Sequence, residues 1–255
     1  MSSSDFSKNL EHYESVGLFE LGLSEIELKR RQGKFGISSV FYPLIDKYYK
    51  SVKDLVKPDM HVLEIGCGTG YHSGVVLSQE ASVTGIDISE ECLRVCAKKH
   101  PNFYSLIKAN MEEIPLPDSS FDAIVIFGSL SYGDPKKVKQ EVFRLLKKGG
   151  HLIVKDTLNH NTLFRFNRWI EYKKGSRSRS TLIFMPRLNF INSFRDSFDK
   201  SELYFYGSYL WIFYPISKLF GSRFAASSNE LIEQIFPSRR NAFGFVLTCR
   251  AFKGI

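Results

Sequence analysis

Val62-Leu63-Glu64-Ile65-Gly66-Cys67-Gly68-Thr69-Gly70 reads as a short buried strand that breaks into a glycine-rich turn. Val62, Leu63 and Ile65 form the apolar run expected of a parallel strand covered on both faces. Glycines at alternate positions permit positive φ and carry no Cβ, so a nucleoside or phosphate group can lie against main-chain N–H groups where the next helix begins. Taken alone, the pattern is shared with ordinary structural turns. The following segment narrows it. Val83 to Ile88, V-T-G-I-D-I, reads as a second strand ending in Asp87, 21 positions after Gly66. An acid about 20 residues beyond the first glycine, at the end of the second strand of a βαβ unit, accepts hydrogen bonds from ribose hydroxyls. The two strands together predict a nucleoside ligand.

Further along, Asn110-Met111-Glu112-Glu113-Ile114-Pro115-Leu116-Pro117-Asp118-Ser119-Ser120-Phe121-Asp122 and Leu146-Lys147-Lys148-Gly149-Gly150 follow in order. With the glycine turn and the Asp87 strand, roughly residues 55 to 157 resemble the class I S-adenosylmethionine-dependent methyltransferases, in particular the small-molecule branch that includes the quinone-biosynthesis C-methyltransferases. A dinucleotide dehydrogenase more often has its third glycine one position later. The resemblance implies an α/β fold: a Rossmann-like seven-stranded sheet of order 3-2-1-4-5-7-6 with strand 7 antiparallel. It also implies S-adenosyl-L-methionine as cofactor, held by Glu64, Gly66, Cys67, Gly68, Gly70, Asp87, Ile88, Asn110, Met111, Phe127 and Gly128. In that family the position of Asn110 is usually an aspartate that accepts from the adenine amino group. Asparagine keeps a carbonyl acceptor without the charge, and Met111 would pack on the adenine ring.

At 255 residues with 43% apolar content, the chain is long enough for a full core in one domain with embellishments. Cys67, Cys92, Cys96 and Cys249 show no paired metal-ligand spacing, so buried thiols and a reduced, cytoplasmic setting are expected. The start, Met1-Ser2-Ser3-Ser4-Asp5, has no apolar signal core, and no run of about 20 apolar residues is present. The net charge of +8 is uneven: residues 1–157 hold 20 Lys/Arg against 21 Asp/Glu, and residues 158–255 hold 15 against 6. The C-terminal part therefore meets an acidic partner or serves solubility.

Residues 1–57 read as a helical extension that covers the site. Phe41, Leu44, Ile45, Tyr48, Tyr49 and Val52 recur at helical spacing, and His12, Tyr13, Phe41 and Tyr42 either line the site or belong to the core. The domain proper runs from 58 to 255. A helix begins near Tyr71-His72, where His72 either approaches the ligand or faces solvent. Ser89 is an N-cap with Glu90 and Glu91 in the first turn that follows. Phe103 to Ala109 and Phe121 to Phe127 read as strands 3 and 4, and Gly128-Ser129-Leu130-Ser131-Tyr132 follows the fourth. Ligands in open α/β sheets bind beyond the carboxyl ends of strands, which puts Tyr132 toward the acceptor. Relatives in the resembled family often carry paired histidines where Ser131-Tyr132 stand, so substrate class and catalytic base do not carry over. A helix from Pro135 to Lys148 is predicted to end at Gly149-Gly150 as a C-cap and to feed strand 5, His151 to Lys155. His151 opens that strand at the end away from the site, whereas Asp156, Asn159 and His160 follow it. Asp156 and His160 are the candidate catalytic bases, with a capping role as the alternative for Asp156.

Acceptor-lid insertions are expected at about 158–200 and 209–240. The first holds an amphipathic helix around Leu163 to Tyr172 and arginines suited to anionic groups, of which Arg165 and Arg168 are the substrate candidates. Tyr209 to Phe220 is strongly apolar and either lies buried under the lid or covers a lipidic substrate at a membrane interface. Ser201 to Tyr209 and Ala242 to Phe252 alternate as strands 6 and 7.

The resulting expectation is methyl transfer to a small or medium acceptor, with O-methylation of a sugar, glycan or other natural-product intermediate favoured. The acceptor would be anionic or lipid-linked, with peripheral membrane contact in the latter case. A methyltransferase acting on RNA or another macromolecule is an alternative, although no RNA-binding module is visible. A non-catalytic, cofactor- or partner-binding member of the fold is another.

Overall fold

The computed structural model describes residues 3–22, 41–175, 178–210, 212–213, 219–237 and 241–252. Seven strands form one sheet: β1 (His61–Ile65), β2 (Ser82–Asp87), β3 (Ser105–Lys108), β4 (Phe121–Phe127), β5 (Leu146–Thr157), β6 (Lys200–Tyr206) and β7 (Gly244–Arg250). Their order is β3-β2-β1-β4-β5-β7-β6, and β7 runs antiparallel to both neighbours. This is the order implied by the resemblance. After β1 the chain builds outward through β2 and β3, then returns to place β4 on the other side of β1. Loops leaving β1 and β4 therefore diverge and open a crevice at the carboxyl edge of the sheet.

Alternation along the strands divides the core between two faces. Leu63, Ile65, Ile124, Ile126, Leu152 and Val154 pack with Val138, Val142 and Leu145 of α5 (Pro135–Leu145) and with Ile191 and Phe194 of α8 (Leu188–Arg195). Val62, Val83, Ala123, Val125 and Ile153 pack on the other face. There they meet Leu44, Tyr48 and Val52 of α2 (Tyr42–Leu55), Val76 of α3 (Ser73–Leu77) and Ala225 of α9 (Ser222–Ile235). Period-2 strands between period-3.6 helices thus bury both sheet faces, each fully buried Leu or Ile contributing about 1.5–3 kcal/mol.

The N-terminal helix α1 (Ser3–Leu21) docks on α4 (Glu90–Lys99). The contact is close because Gly17 has no side chain: a Cβ there would lie 2.5 Å from Glu91 C and 2.6 Å from Cys92 N. The Glu14 carboxylate accepts from the Glu90 and Glu91 amides at 3.0 and 3.3 Å, complementing the positive end of α4. A buried Lys99–Glu20 ion pair of 2.8 Å closes the far end of the contact. Residues 23–40 of the expected helical extension lie outside the described residues.

Two expected boundaries are corrected. The helix from Pro135 stops at Leu145, and Leu146 already pairs with Phe121 of β4, so β5 starts well before His151. Amides of Ser119 and Ser120 take the helix-end carbonyls of Arg144 and Leu145 at 2.8 and 2.9 Å. Gly149, at φ 78°, sits inside the irregular start of β5 and does not cap the helix. In the Tyr209 to Phe220 stretch, Leu210 is buried, whereas Leu219 and Phe220 are exposed; residues 211 and 214–218 lie outside the described residues. The segment between β5 and β6 also carries α6 (Thr162–Lys173) and α7 (Arg179–Ile183). No helix among the described residues is long and apolar enough to cross a membrane.

Candidate active site

The glycine turn is built as a left-handed sequence of steps: Gly66, Gly68 and Gly70 have φ of 72°, 53° and 76°. Gly66 and Cys67 amides both donate to the Ile86 carbonyl, at 2.8 and 3.1 Å, which ties the turn to the end of β2. Asp87 completes the tie. Its carboxylate accepts from Gly68 N at 2.9 Å and from Ser89 N at 3.0 Å. Burial raises the Asp87 pKa, and these amides act in the opposite direction. Gly66 has a second reason to be glycine, since a Cβ there would lie 2.6 Å from Ser129 Cβ. Ser129 Oγ in turn donates to Ile65 O at 3.0 Å, joining the loops after β1 and β4.

Between these loops lies a cavity of about 450 Å³. Of the residues singled out from the sequence, Glu64, Gly66, Cys67, Gly68, Asp87, Ile88, Asn110, Met111, Phe127, Gly128, Tyr132, Asp156 and Arg168 line it. Gly70, His160 and Arg165 are not among its walls. The Gly70 carbonyl faces His100 Nε2 at 2.8 Å. The His160 Nε2 accepts from Leu188 N at 3.0 Å, anchoring the start of α8, and Arg165 is exposed on α6. Tyr13 and Val16 of α1 close one side, where Tyr13 meets Tyr132 edge-on at 5.2 Å. His12 instead lines a neighbouring cleft, Tyr42 is exposed, and Phe41 stacks on Phe243 at 4.2 Å.

Glu64 is 3% exposed, and its Oε2 has no hydrogen-bond partner among the described residues. Burial pushes its pKa up to about 7; the nearby Ser73 hydroxyl acts against this, and the Asp87 charge acts with it. Such a group needs a cation or a donor from whatever fills the cavity. Asn110 Oδ1 accepts from Glu112 N at 3.0 Å. Across the cavity, Asp156 is 1% exposed, and its two oxygens accept from Leu130 N and Thr157 N at 2.9 and 2.6 Å. It therefore fastens the loop after β4 to the end of β5. Arg168, 8% exposed, donates from Nη2 to Thr157 Oγ1 at 2.9 Å, with its guanidinium 4.6 Å from the centre of the Phe164 ring.

Two residues emerge here that sequence reasoning missed or left open. His72 is stacked on Phe127 at 3.5 Å, with Nδ1 2.8 Å from Tyr49 Oη, so it faces the cavity and not solvent. Burial and then the Lys155 charge bring its pKa down to about 3, leaving it neutral. Lys155 is 7% exposed, lines the cavity, and holds Nζ 4.4 Å from the Phe127 ring centre. Burial brings its pKa down to about 8. Its signal was a charge at the end of the otherwise apolar run Leu152-Ile153-Val154.

The wall chemistry fits S-adenosylmethionine. Gly68 and Gly128 expose backbone to the cavity, where a Cβ would meet nothing within 4 Å. The orphaned carboxylate oxygen of Glu64 suits the ammonium of the methionyl part. Asp87 retains lone pairs for ribose hydroxyls, and Met111 offers an apolar flank beside Gly66 for the base.

The sheet has the strand order of the class I methyltransferase fold, and comparison with known proteins finds the same likeness. Residues 63–154 match the family described as "Methyltransferase domain". The demethylmenaquinone methyltransferase of Listeria welshimeri is 35% identical over 134 residues, which cover 49% of this chain and 57% of that protein. The ubiquinone/menaquinone biosynthesis C-methyltransferase UbiE of Wigglesworthia glossinidia brevipalpis is 30% identical over 108 residues, covering 38% and 42% respectively. The chain thus spans about half the length of the curated relatives it matches. Among solved structures, a SAM dependent methyltransferase from Archaeoglobus fulgidus superposes with a TM-score of 0.59 at 16% identity, over 89% of this chain and 100% of that one. Residues 63–154 are thus similar to a methyltransferase domain, carried on a sheet of the class I order.

Proposed function

We propose that this chain transfers a methyl group from S-adenosylmethionine to a ring carbon of a small hydroxylated aromatic acceptor of the reduced-quinone type. The observation that carries the cofactor half of this reading is the pairing, in one cavity, of a buried Glu64 oxygen lacking a partner with an Asp87 carboxylate pinned to the glycine turn. Support for the acceptor comes from the curated relatives, whose names specify demethylmenaquinone and ubiquinone/menaquinone C-methylation. The aromatic walls, Tyr13, His72, Phe127 and Tyr132, suit a flat ring better than the sugar first expected.

The cofactor, when bound, would supply a methyl group already activated on a sulfonium: the ring carbon takes the methyl as the S–CH3 bond breaks to leave S-adenosylhomocysteine, and that carbon then loses its proton to water, restoring the aromatic ring. What remains for the protein is to orient, to exclude water and to place the acceptor. Glu64 would hold the ammonium end, Asp87 the ribose, and Asn110 with Met111 the base. Phe127 and His72 form a dry floor between the two halves of the cavity, and Tyr13 with Tyr132 forms the roof. Neutral His72 is tied to Tyr49, which keeps its ring stacked and flat. Asp156 holds the loop after β4 through two backbone amides and so acts by positioning.

The test is incubation with deuteromethyl S-adenosylmethionine and a panel of naphthoquinols, simple phenols and sugars, read by mass spectrometry. Label on the ring carbon of a naphthoquinol is the expected result. Label confined to sugars, or no transfer to any member while the cofactor binds, would overturn the acceptor assignment.

A further inference from the structure

We propose that Lys155, supported by Arg168, forms a subsite that binds an anionic oxygen of the acceptor, an ionised ring hydroxyl held beside the carbon to be methylated. This inference rests on the acceptor reading above and adds the groups that recognise it.

Lys155 lies at the carboxyl end of β5, where the sheet opens onto the cavity. Among the described residues its side chain makes no hydrogen bond and no ion pair, and its ammonium lies over the face of Phe127, 4.4 Å from the ring centre. A buried ammonium without a hydrogen-bonded partner is costly unless something in the cavity supplies one. The neighbouring carboxylate, Asp156, already has each oxygen on a backbone amide. The other charged or titratable groups facing Lys155 are Arg168, a second cation, and His72, which is held neutral. Arg168 reaches the same place from α6 and is fixed there by Thr157 at the end of the same strand. The acids of the cofactor side, Glu64 and Asp87, belong to the ends of β1 and β2.

The cavity is thus divided by charge. One end offers carboxylates to a cationic and hydroxyl-bearing cofactor, and the other offers two cations above an aromatic floor, with the Asp156 carboxylate beside them held on backbone amides. A flat ring on Phe127 and His72 with one ionised hydroxyl satisfies that second end. Ammonium and guanidinium donors both favour the ionised over the neutral form of a bound hydroxyl. Ionisation also raises the electron density of the ring carbon next to the oxygen, the property a carbon acceptor needs.

The probe is 4-nitrophenol, whose ionised form absorbs in the visible, titrated into the full chain saturated with S-adenosylhomocysteine at a pH where the free probe is mostly neutral. The expected result is a bound probe with the phenolate band. In Lys155→Met the band is lost and probe affinity falls roughly thirtyfold or more, whereas Lys155→Arg, which keeps the charge, retains much of it. Binding of S-adenosylhomocysteine by calorimetry in all three proteins reports folding and the cofactor site independently. Equal probe binding in wild type and Lys155→Met, a bound probe that is neutral, or no probe binding to the loaded wild type would overturn the subsite while leaving the cofactor site standing. Failure of S-adenosylhomocysteine to bind the wild type would overturn the subsite together with the reading beneath it.

Discussion

Glu64 is placed where its ionisation couples the empty protein to its ligand. Its pKa is raised from 4.5 to about 7, with burial the largest cause, so the folded apo state binds a proton that the unfolded chain has released. The sign follows directly: the contribution of Glu64 to apo stability is greatest below about pH 4.5, falls as pH rises through the window from 4.5 to 7, and stays lowered above it. Glu64→Gln removes the penalty. Its apo melting temperature should therefore exceed that of wild type at pH 8 and match it near pH 4.5, read by thermal denaturation. Cofactor binding should run the other way, since the ammonium favours ionised Glu64: wild-type affinity should drop below pH 7, and Glu64→Gln should show a flatter profile. Equal pH profiles for the two proteins would remove Glu64 from the ammonium site. The residue was legible from its place in the strand before the glycine turn. Lys155 and His72 were not, because their meaning depends on Phe127, brought beside them from another strand.

Helix α1 shows how an element far from the signature motifs shapes the site. Its seat on α4 depends on Gly17, whose missing Cβ lets the helix approach the Glu91–Cys92 backbone. Any side chain at that point meets main chain, which cannot swing aside. Gly17→Val should therefore lift α1, withdraw Tyr13 and Val16 from the cavity wall, and weaken S-adenosylhomocysteine binding by about tenfold. Calorimetry checks the affinity. Hydrogen exchange should show faster exchange confined to α1, while unchanged binding would show that α1 is no part of the site. Sequence reading expected helical cover from residues 1–57 and named Tyr13 among aromatics able to line the site. It had no means of choosing Tyr13 over Phe41 or Tyr42, since helical spacing reports that a face is buried and not what it is buried against. The misplaced end of the 135–145 helix has a similar origin. Leu146 to Gly150 has local features of a helix terminus, but pairing of Leu146 with Phe121 takes it into the sheet.

For the whole molecule, the sheet order was recoverable through the family resemblance carried by the glycine turn, the Asp87 strand and the motifs that follow them, and the observed order places the switch point between β1 and β4. The division of the cavity into an acidic cofactor end and a basic acceptor end was not recoverable. It arises from where β5 and α6 meet the crevice. If the account holds, saturation with S-adenosylhomocysteine should slow hydrogen exchange in the loops after β1, β2 and β4 and in α1, and leave β6 and α9 little changed. Protection spread evenly over the sheet would instead indicate general tightening. The most direct measurement is calorimetric titration of S-adenosylmethionine and S-adenosylhomocysteine into wild type and Asp87→Ala. Removing this carboxylate takes away both the proposed ribose acceptor and the clamp on Gly68 and Ser89. The account predicts wild-type binding of both ligands and a loss of roughly thirtyfold or more in the variant. Equal affinity in the two proteins, or no binding to wild type at millimolar ligand, would contradict it.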